Sequence, residues 1–218
     1  MPQSRSNGYR VLISAGPTHE PIDAVRYIAN RSSGRTGLAF AAAAIRRRLP
    51  TTLLLGPTHL HPPQGSHLRT IRFQTTADLQ DLLTARWPEH DLLIMAAAVA
   101  DYRPAGPAET GKLHHRRAGP LSLALEPTPD LLAGLSAITR PGQTRIGFAL
   151  GPADGLLEGA RKKLADKDLD AIIANPLETI GAEQITATLV LRDGKVLTAP
   201  AAITKDDFAD WVFDRFLS

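Results

Sequence analysis

The chain reads as an α/β protein built on a doubly wound, mostly parallel sheet. Three observations carry that reading. Apolar runs of strand length alternate with segments of helical periodicity from residue 9 to residue 174, the rhythm of a parallel sheet with helices on both faces. One of those runs, residues 91–97, is apolar almost throughout, as a central parallel strand is. Aromatic residues make up 5% of the chain and apolar residues 43%. The core must therefore be built from Leu, Ile, Val and Ala, which suits helices packed closely on a sheet. Together these predict a Rossmann-like sheet with a β-hairpin and a terminal helix appended at the C-terminal end.

The elements follow in order. Residues 9–15 read as the first strand, and residues 34–48 as a helix whose Ala-rich stretch 38–45 is to be buried. Residues 51–55 form the next strand; a Pro- and His-rich loop, 57–67, leads to a short strand at 68–73. Thr76 is placed to cap a helix over 77–86. Strand 91–97 comes next. Residues 127–130 precede a helix reaching Thr139; 144–150 is a strand, 152–167 a helix and 169–174 a strand. Residues 184–191 alternate Ile185, Ala187, Leu189 and Leu191 with more polar neighbours, and an Asp193-Gly194 turn leads to a return strand at 196–199. Residues 206–217 close the chain as an amphipathic helix, with Phe208, Trp211, Val212 and Phe216 or Arg215 at helical spacing.

Composition narrows the function classes. The 218 residues suffice for one domain, 1–218, and its region 176–204 is expected to pair two copies, because the hairpin offers an edge and an apolar face. A simple lid over the core is the other reading of that hairpin. With no cysteine, disulfides, thiolate metal sites and a cysteine nucleophile are excluded. The net charge is +3 with both signs mixed, and no aromatic-plus-basic stripe suggests nucleic acid. No apolar run reaches membrane-spanning length and the first ten residues are polar, so a soluble cytoplasmic protein without membrane partners is expected.

In such sheets ligands sit beyond the carboxyl ends of the strands. Polar residues gather there: after Ala15, after Ala98, after Leu150 and at Asn175. The most informative segment is RYIANRSSGRTG, residues 26–37, between the first strand and the first helix. Small residues there let backbone N–H groups approach an anion, and the loop adds arginine, asparagine and two serines. An ordinary strand-to-helix connection with a Ser N-cap is the alternative. A second segment, AAAVADYRP at 96–104, lets a flat ligand lie on backbone and offers Asp101 as acceptor or metal contact. A third is Lys112 with Arg116 and Arg117 on a Gly/Pro-bounded loop, either a mobile basic flap over phosphates or a solvated charge run. Lys163 and Lys167, four residues apart, share a helical face. The glycine fingerprint of dinucleotide sites, the phosphate loop of nucleoside triphosphatases and a Tyr-Lys reductase pair are missing, and the seven histidines show no metal-ligand spacing.

The blocks ISAGPTHEPIDAVRYIANRSSGRTG, AAAVADYRP, PTPDLL, IGFAL and ARKKLADKDLDAIIAN, in that order, resemble the phosphopantothenate–cysteine ligase (phosphopantothenoylcysteine synthetase) family of coenzyme A biosynthesis, and the resemblance runs from about Val11 to Val196. The resemblance implies an acid–amino-acid ligase. The carboxylate of the substrate, 4′-phosphopantothenate, is activated by CTP or ATP as an acyl-nucleotide, with Mg²⁺, and cysteine then captures it as an amide. It places Asn30 at the acyl-nucleotide, with Arg26 supporting the same loop and Lys112 as the first lysine of a basic flap. Ser32 and Gly34 fall on the nucleotide, and Ala98 with Asn30 on the substrate. Met95, Ala96, Ala97 and Asp101 surround base and ribose, while Pro129, Asp130, Leu131, Leu132, Phe148, Lys163 and Lys167 make further nucleotide contacts. It also implies a homodimer, and a free-standing ligase that binds no flavin and works with a separate phosphopantothenoylcysteine decarboxylase.

The chain departs from that family at three places. The flap reads Lys112-Leu113-His114-His115, not Lys-x-Lys-Lys, with Arg116 and Arg117 following; Gly151-Pro152 replaces an acidic residue after IGFAL; and Glu183-Gln184-Ile185 stands where Asp-x-Asn is common. These departures bear on nucleotide choice and rate. Two other readings stand beside the ligase: a non-catalytic binding paralogue, and a Rossmann-like enzyme of other chemistry.

Overall fold

A computed structural model describes residues 8–108, 111–112 and 122–217. In chain order the elements are β1 (Val11–Ala15), β2 (His19–Pro21), β3 (Tyr27–Ala29), α1 (Arg35–Arg46), β4 (Thr51–Leu55), β5 (Leu68–Arg72), α2 (Thr76–Arg86), β6 (Leu92–Met95), β7 (Tyr102–Pro104), β8 (Leu125–Pro127), α3 (Leu131–Gly134), β9 (Thr144–Gly151), α4 (Leu156–Asp166), β10 (Ala171–Pro176), β11 (Gln184–Ile185), β12 (Thr188–Leu191), β13 (Val196–Thr198), β14 (Ile203–Thr204) and α5 (Lys205–Phe216).

The central eight-stranded sheet runs β13-β12-β10-β9-β6-β1-β4-β5. Pairing from β10 through β5 is parallel, and β12 and β13 add antiparallel. The predicted doubly wound sheet with an appended hairpin is what forms. Both faces are covered, which is why β1 and β6 are buried at every residue. On one face α1 and α5 pack together, with Phe40 edge-on to Phe148, Phe208 and Phe213 at 5.8–6.3 Å. A Cβ on Gly37 would lie 2.4 Å from that of Ala15; glycine therefore sets how closely α1 approaches β1. On the other face α2, α3 and α4 bury Leu79, Leu83, Leu131, Leu132 and Ala160.

Several boundaries move, each for a local reason. Helix α2 is capped by Thr75, not Thr76. The Thr75 hydroxyl accepts from the Asp78 N–H at 3.1 Å, and the Asp78 carboxylate accepts from the Thr75 N–H at 2.9 Å. The Thr76 hydroxyl instead bonds the buried Glu20 at 2.6 Å. The helix expected up to Thr139 breaks after Gly134 into a 3₁₀ turn, Ser136–Ile138. Helix α4 starts at Leu156, because Gly155 at φ 77° turns the chain in. The expected strand 184–191 is split: β11 pairs with β14, while β12 pairs with β10 and β13. Ile185, Ala187 and Leu189 are buried in the same core as α1 and α5. The three-residue strand pairs β2–β3 and β7–β8 were not foreseen. No helix among the described residues is long and apolar enough to cross a membrane.

Candidate active site

At the carboxyl ends of the parallel strands lies a cleft of about 820 Å³, where the sheet topology expects a ligand. Its floor is tied together by buried hydroxyls. Ser14 accepts from the Ala97 N–H at 3.2 Å and donates to Met95 Sδ at 3.0 Å. Thr18 accepts from the Ala100 N–H at 3.0 Å, and the Ala98 N–H donates to the Gly16 carbonyl at 2.9 Å. The loops after β1 and β6 are thereby locked edge to edge.

One wall is the segment before α1. Asn30, Ser32, Gly34, Arg35, Thr36 and Gly37 line the cleft. Asn30 Nδ2 donates to the Val99 carbonyl at 2.9 Å, which aims this side chain across the strand ends. The helix cap is Gly34 at φ 79°, without a side-chain cap, so the Ser N-cap alternative does not hold. A Cβ at Gly34 would meet the Gly16 backbone at 3.3 Å. The first turn of this twelve-residue helix lies in the cleft lining, with the Arg35 N–H donating to the Ser33 hydroxyl at 3.4 Å.

The opposite wall gathers the remaining candidates. Met95, Ala96, Ala97, Ala98 and Asp101 line it, as do Pro129, Asp130, Leu131, Leu132, Phe148, Lys163 and Lys167. Lys163 Nζ donates to the Phe148 carbonyl at 2.7 Å. Burial holds its ammonium below the usual lysine range, and neighbouring Lys167 adds to this. Lys167 pairs with Asp130 at 2.7 Å, while Asp130 caps α3 by accepting from the Ala133 N–H at 3.1 Å. Burial alone would raise the Asp130 carboxyl; the bonds from Lys167 and Ala133 outweigh it and hold the group low.

Two predicted residues stand apart. Arg26 does not line the cleft. It pairs with the fully buried Asp23 carboxylate, which also accepts from the Val25 and Arg26 N–H groups at 2.8 and 2.7 Å, so it fixes the β2–β3 turn. Lys112 is exposed and also lies outside the lining. Leu113, His114, His115, Arg116 and Arg117 lie outside the described residues.

The cleft also holds residues that the sequence did not single out. Lys205, only 5% exposed, donates to the Thr179 carbonyl at 3.1 Å. Thr179 in turn accepts from Asn175 at 2.7 Å. Arg35 lies near enough to Lys205 to help depress its ammonium, after burial as the larger cause. Among the described residues no group of three or more His, Asp or Glu side chains could hold a metal.

Fold and cleft together define a doubly wound α/β protein with an anion-compatible ligand site at its strand ends. The chain belongs to the family of the DNA/pantothenate metabolism flavoprotein C-terminal domain, which matches residues 6–218. It is 39% identical over 174 residues to the coenzyme A biosynthesis bifunctional protein CoaBC of Vibrio cholerae, covering 80% of this chain and 43% of that protein. To CoaBC of Escherichia coli it is 36% identical over 193 residues, covering 86% and 47%. It is also 40% identical over 176 residues to a cysteine/cysteine sulfinic acid decarboxylase of an unknown prokaryotic organism, covering 81% and 48%. The chain thus spans a little under half the length of these curated relatives. The solved C-terminal domain of CoaBC superimposes with a TM-score of 0.81 at 33% identity, covering 96% of this chain and 94% of that one. A Cab2 variant in complex with phosphopantothenate-cysteine shares the fold, with a TM-score of 0.76 at 18% identity and coverage of 95% and 86%.

Proposed function

We propose that this chain is a phosphopantothenate–cysteine ligase. The observation that carries the reading is convergence. Segments far apart in sequence, 30–37, 95–101, 128–132, Phe148 and Lys163 with Lys167, line one cleft at the strand ends. The names of the CoaBC relatives support it, and in the Cab2 variant the same fold holds phosphopantothenate-cysteine. In the first step a carboxylate oxygen of the phosphopantothenate substrate attacks the α-phosphorus of CTP or ATP. The bond from that phosphorus to its bridging oxygen breaks, and pyrophosphate leaves with the electron pair. In the second the amine of cysteine attacks the acyl carbon, the nucleoside monophosphate leaves, and the nitrogen gives up a proton to solvent. No protein nucleophile is required. The chain's part is to position anions and stabilise charge, Asn30 and Ala98 at the acyl group and the α1 N-terminus at phosphate. Only two cleft carboxylates among the described residues, Asp101 and the Lys167-paired Asp130, and no three-residue acidic or His cluster there fit a cation carried in by the triphosphate, as is usual for Mg²⁺. When bound, Mg²⁺ supplies charge neutralisation on the phosphates.

Pyrophosphate release should require nucleotide, 4′-phosphopantothenate and cysteine for full turnover, and the acyl-nucleotide should build up when cysteine is withheld. Absence of pyrophosphate with both CTP and ATP overturns the reading. The proposal extends to a cytoplasmic homodimer working beside a separate phosphopantothenoylcysteine decarboxylase. With the inner side of 184–199 committed to its own core, region 176–204 still offers the sheet edge at β13 for pairing, where Val196 is 37% exposed, along with the exposed Leu177 and Ile180. Light scattering should give twice the chain mass, falling to one on Val196→Lys; an active monomeric wild type rejects the dimer.

A further inference from the structure

Two cations of the cleft lining, Arg35 and Lys205, have so far been given no part in either step of the proposed reaction. Lys205 begins α5 and is buried, yet among the described residues its ammonium makes one hydrogen bond, to the Thr179 carbonyl. Among the described residues no carboxylate lies within ion-pair distance of its Nζ. Arg35, on the first turn of α1, has a buried Nε without a hydrogen-bond partner and a single distant carboxylate, Glu183 at 3.9 Å, itself 86% exposed. Both side chains line the cleft. Two uncompensated like charges, one taken out of water, are held together at a cost unless an anion joins them. An ammonium has three donors, and one is used here.

Their position selects the anion. Asn30 is bonded to Val99, just past the end of β6, whereas Thr179 and Lys205 lie past the end of β10. β9 stands between β6 and β10 in the sheet, so the two points are two strand spacings apart, on the order of 10 Å. Under the ligase reading the carboxylate enters at Asn30. In-line displacement at phosphorus sends the leaving group away on the far side. We infer that Arg35 and Lys205 form the subsite for the leaving pyrophosphate, the β- and γ-phosphoryl groups of the bound triphosphate. Charge grows on that group as the bridging bond breaks, and cations preorganised there act on the transition state. The inference rests on the ligase reading for the direction of attack.

Titration calorimetry with inorganic pyrophosphate, the nucleoside monophosphate and 4′-phosphopantothenate, on wild type and Lys205→Gln, tests it. Pyrophosphate affinity should fall about tenfold or more, the scale of one charge-assisted contact. The other two ligands should change less than about twofold, within ordinary context effects. In turnover kcat should fall while the Michaelis constant for the phosphopantothenate substrate stays unchanged, and Lys205→Arg should restore most of the lost rate. If Lys205→Gln does not fold by thermal denaturation, Arg35→Gln, on a half-exposed side chain, is read by the same criteria. Unchanged pyrophosphate affinity in a folded variant overturns the assignment. A loss confined to 4′-phosphopantothenate also overturns it and moves both cations to the substrate's phosphomonoester. Lys205-dependent pyrophosphate binding in a wild type that releases none from CTP or ATP supports the subsite and rejects the ligase. Release that ignores Lys205 rejects the subsite alone.

Discussion

The cleft has two cation pairs, and the fold treats them in opposite ways. On the face covered by α3 and α4, Lys167 is paired with Asp130 and Lys163 with the Phe148 carbonyl, with Asp130 and Asp101 near enough to favour its charge. On the face covered by α1 and α5, Arg35 and Lys205 meet no close carboxylate. A compensated cation serves as a donor of fixed geometry, suited to the neutral edges of a base and ribose. An uncompensated pair is suited to a guest that brings negative charge. The difference teaches that counting basic residues in a cleft is uninformative until each has been assigned its counter-ion.

Lys112 lies at neither end, and it provides the largest expected effect. If it closes over the triphosphate, Lys112→Gln should lower turnover by about 2–4 kcal/mol of transition-state stabilisation. An exposed loop position should leave folding within about 0.5 kcal/mol. Steady-state rates at saturating nucleotide check the first and thermal unfolding the second. Unchanged turnover would show that Lys112 is merely solvated.

The sequence carried the sheet well and the site less completely. Strands β1, β4, β6 and β9 are bounded apolar runs, readable because central parallel strands bury both faces. Strands β2, β3, β7 and β8 are three residues each and three of them end in proline, too short to show a period. The alternation at 184–191 marked Ile185, Ala187 and Leu189 as residues to bury, with a second copy or the chain's own core as the surface to bury them against, and they lie in the core with α1 and α5. Thr75 against Thr76 was decidable: Asp78 stands three residues after Thr75, the spacing of a capping box. Arg26 likewise follows Asp23 by three, a local ion pair in waiting. Lys205 was not decidable. A lysine opening an amphipathic helix normally faces water, and this one is buried through long-range packing beside the β10–β11 connection, which meets it at Thr179. The residues that the resemblance names, Arg26 and Lys112 apart, fall on the cleft lining because its motifs sit at strand ends, where topology alone brings them together.

The compensated end can be tested through affinity. Lys163→Met removes the bond to Phe148 and one cation while leaving the Lys167–Asp130 pair in place. Nucleotide affinity should weaken by about 1.5–3 kcal/mol, the range for a hydrogen bond to a charged group. Stability should hold, since a buried ammonium held below its usual range is replaced by an apolar chain of similar length. Equilibrium binding of CTP and ATP gives the answer. An unchanged Kd would show that Lys163 only braces α4 against β9.

A smaller effect concerns folding. Asp130→Ala deletes the cap of α3 and the partner of Lys167. The cap alone is worth about 1 kcal/mol, and the half-exposed ion pair adds a fraction of that after solvent screening. Denaturant melts should show a midpoint shift with unchanged slope. If Asp130→Asn, which can still cap, loses as much as Asp130→Ala, the ion pair dominates and the end is more rigidly compensated than the geometry implies.

The smallest effect separates the two ends by the sign of their pH dependence. The folded-state carboxyl of Asp130 lies below 3.8, so its contribution to stability is full above that value and is lost as pH falls through the depressed folded value. The Lys205 ammonium is depressed from 10.5. Between its folded value and 10.5 the unfolded chain binds more protons, so stability rises with pH there. Asp130→Asn should therefore flatten part of the acid limb of stability against pH and leave the alkaline limb alone. Lys205→Met should flatten part of the alkaline rise and leave the acid limb alone. Chemical melts in small pH steps at fixed ionic strength measure both slopes. A Lys205→Met chain that keeps the wild-type alkaline slope would mean that the ammonium is not destabilised in the fold, and the contrast between the two ends would collapse to one of geometry.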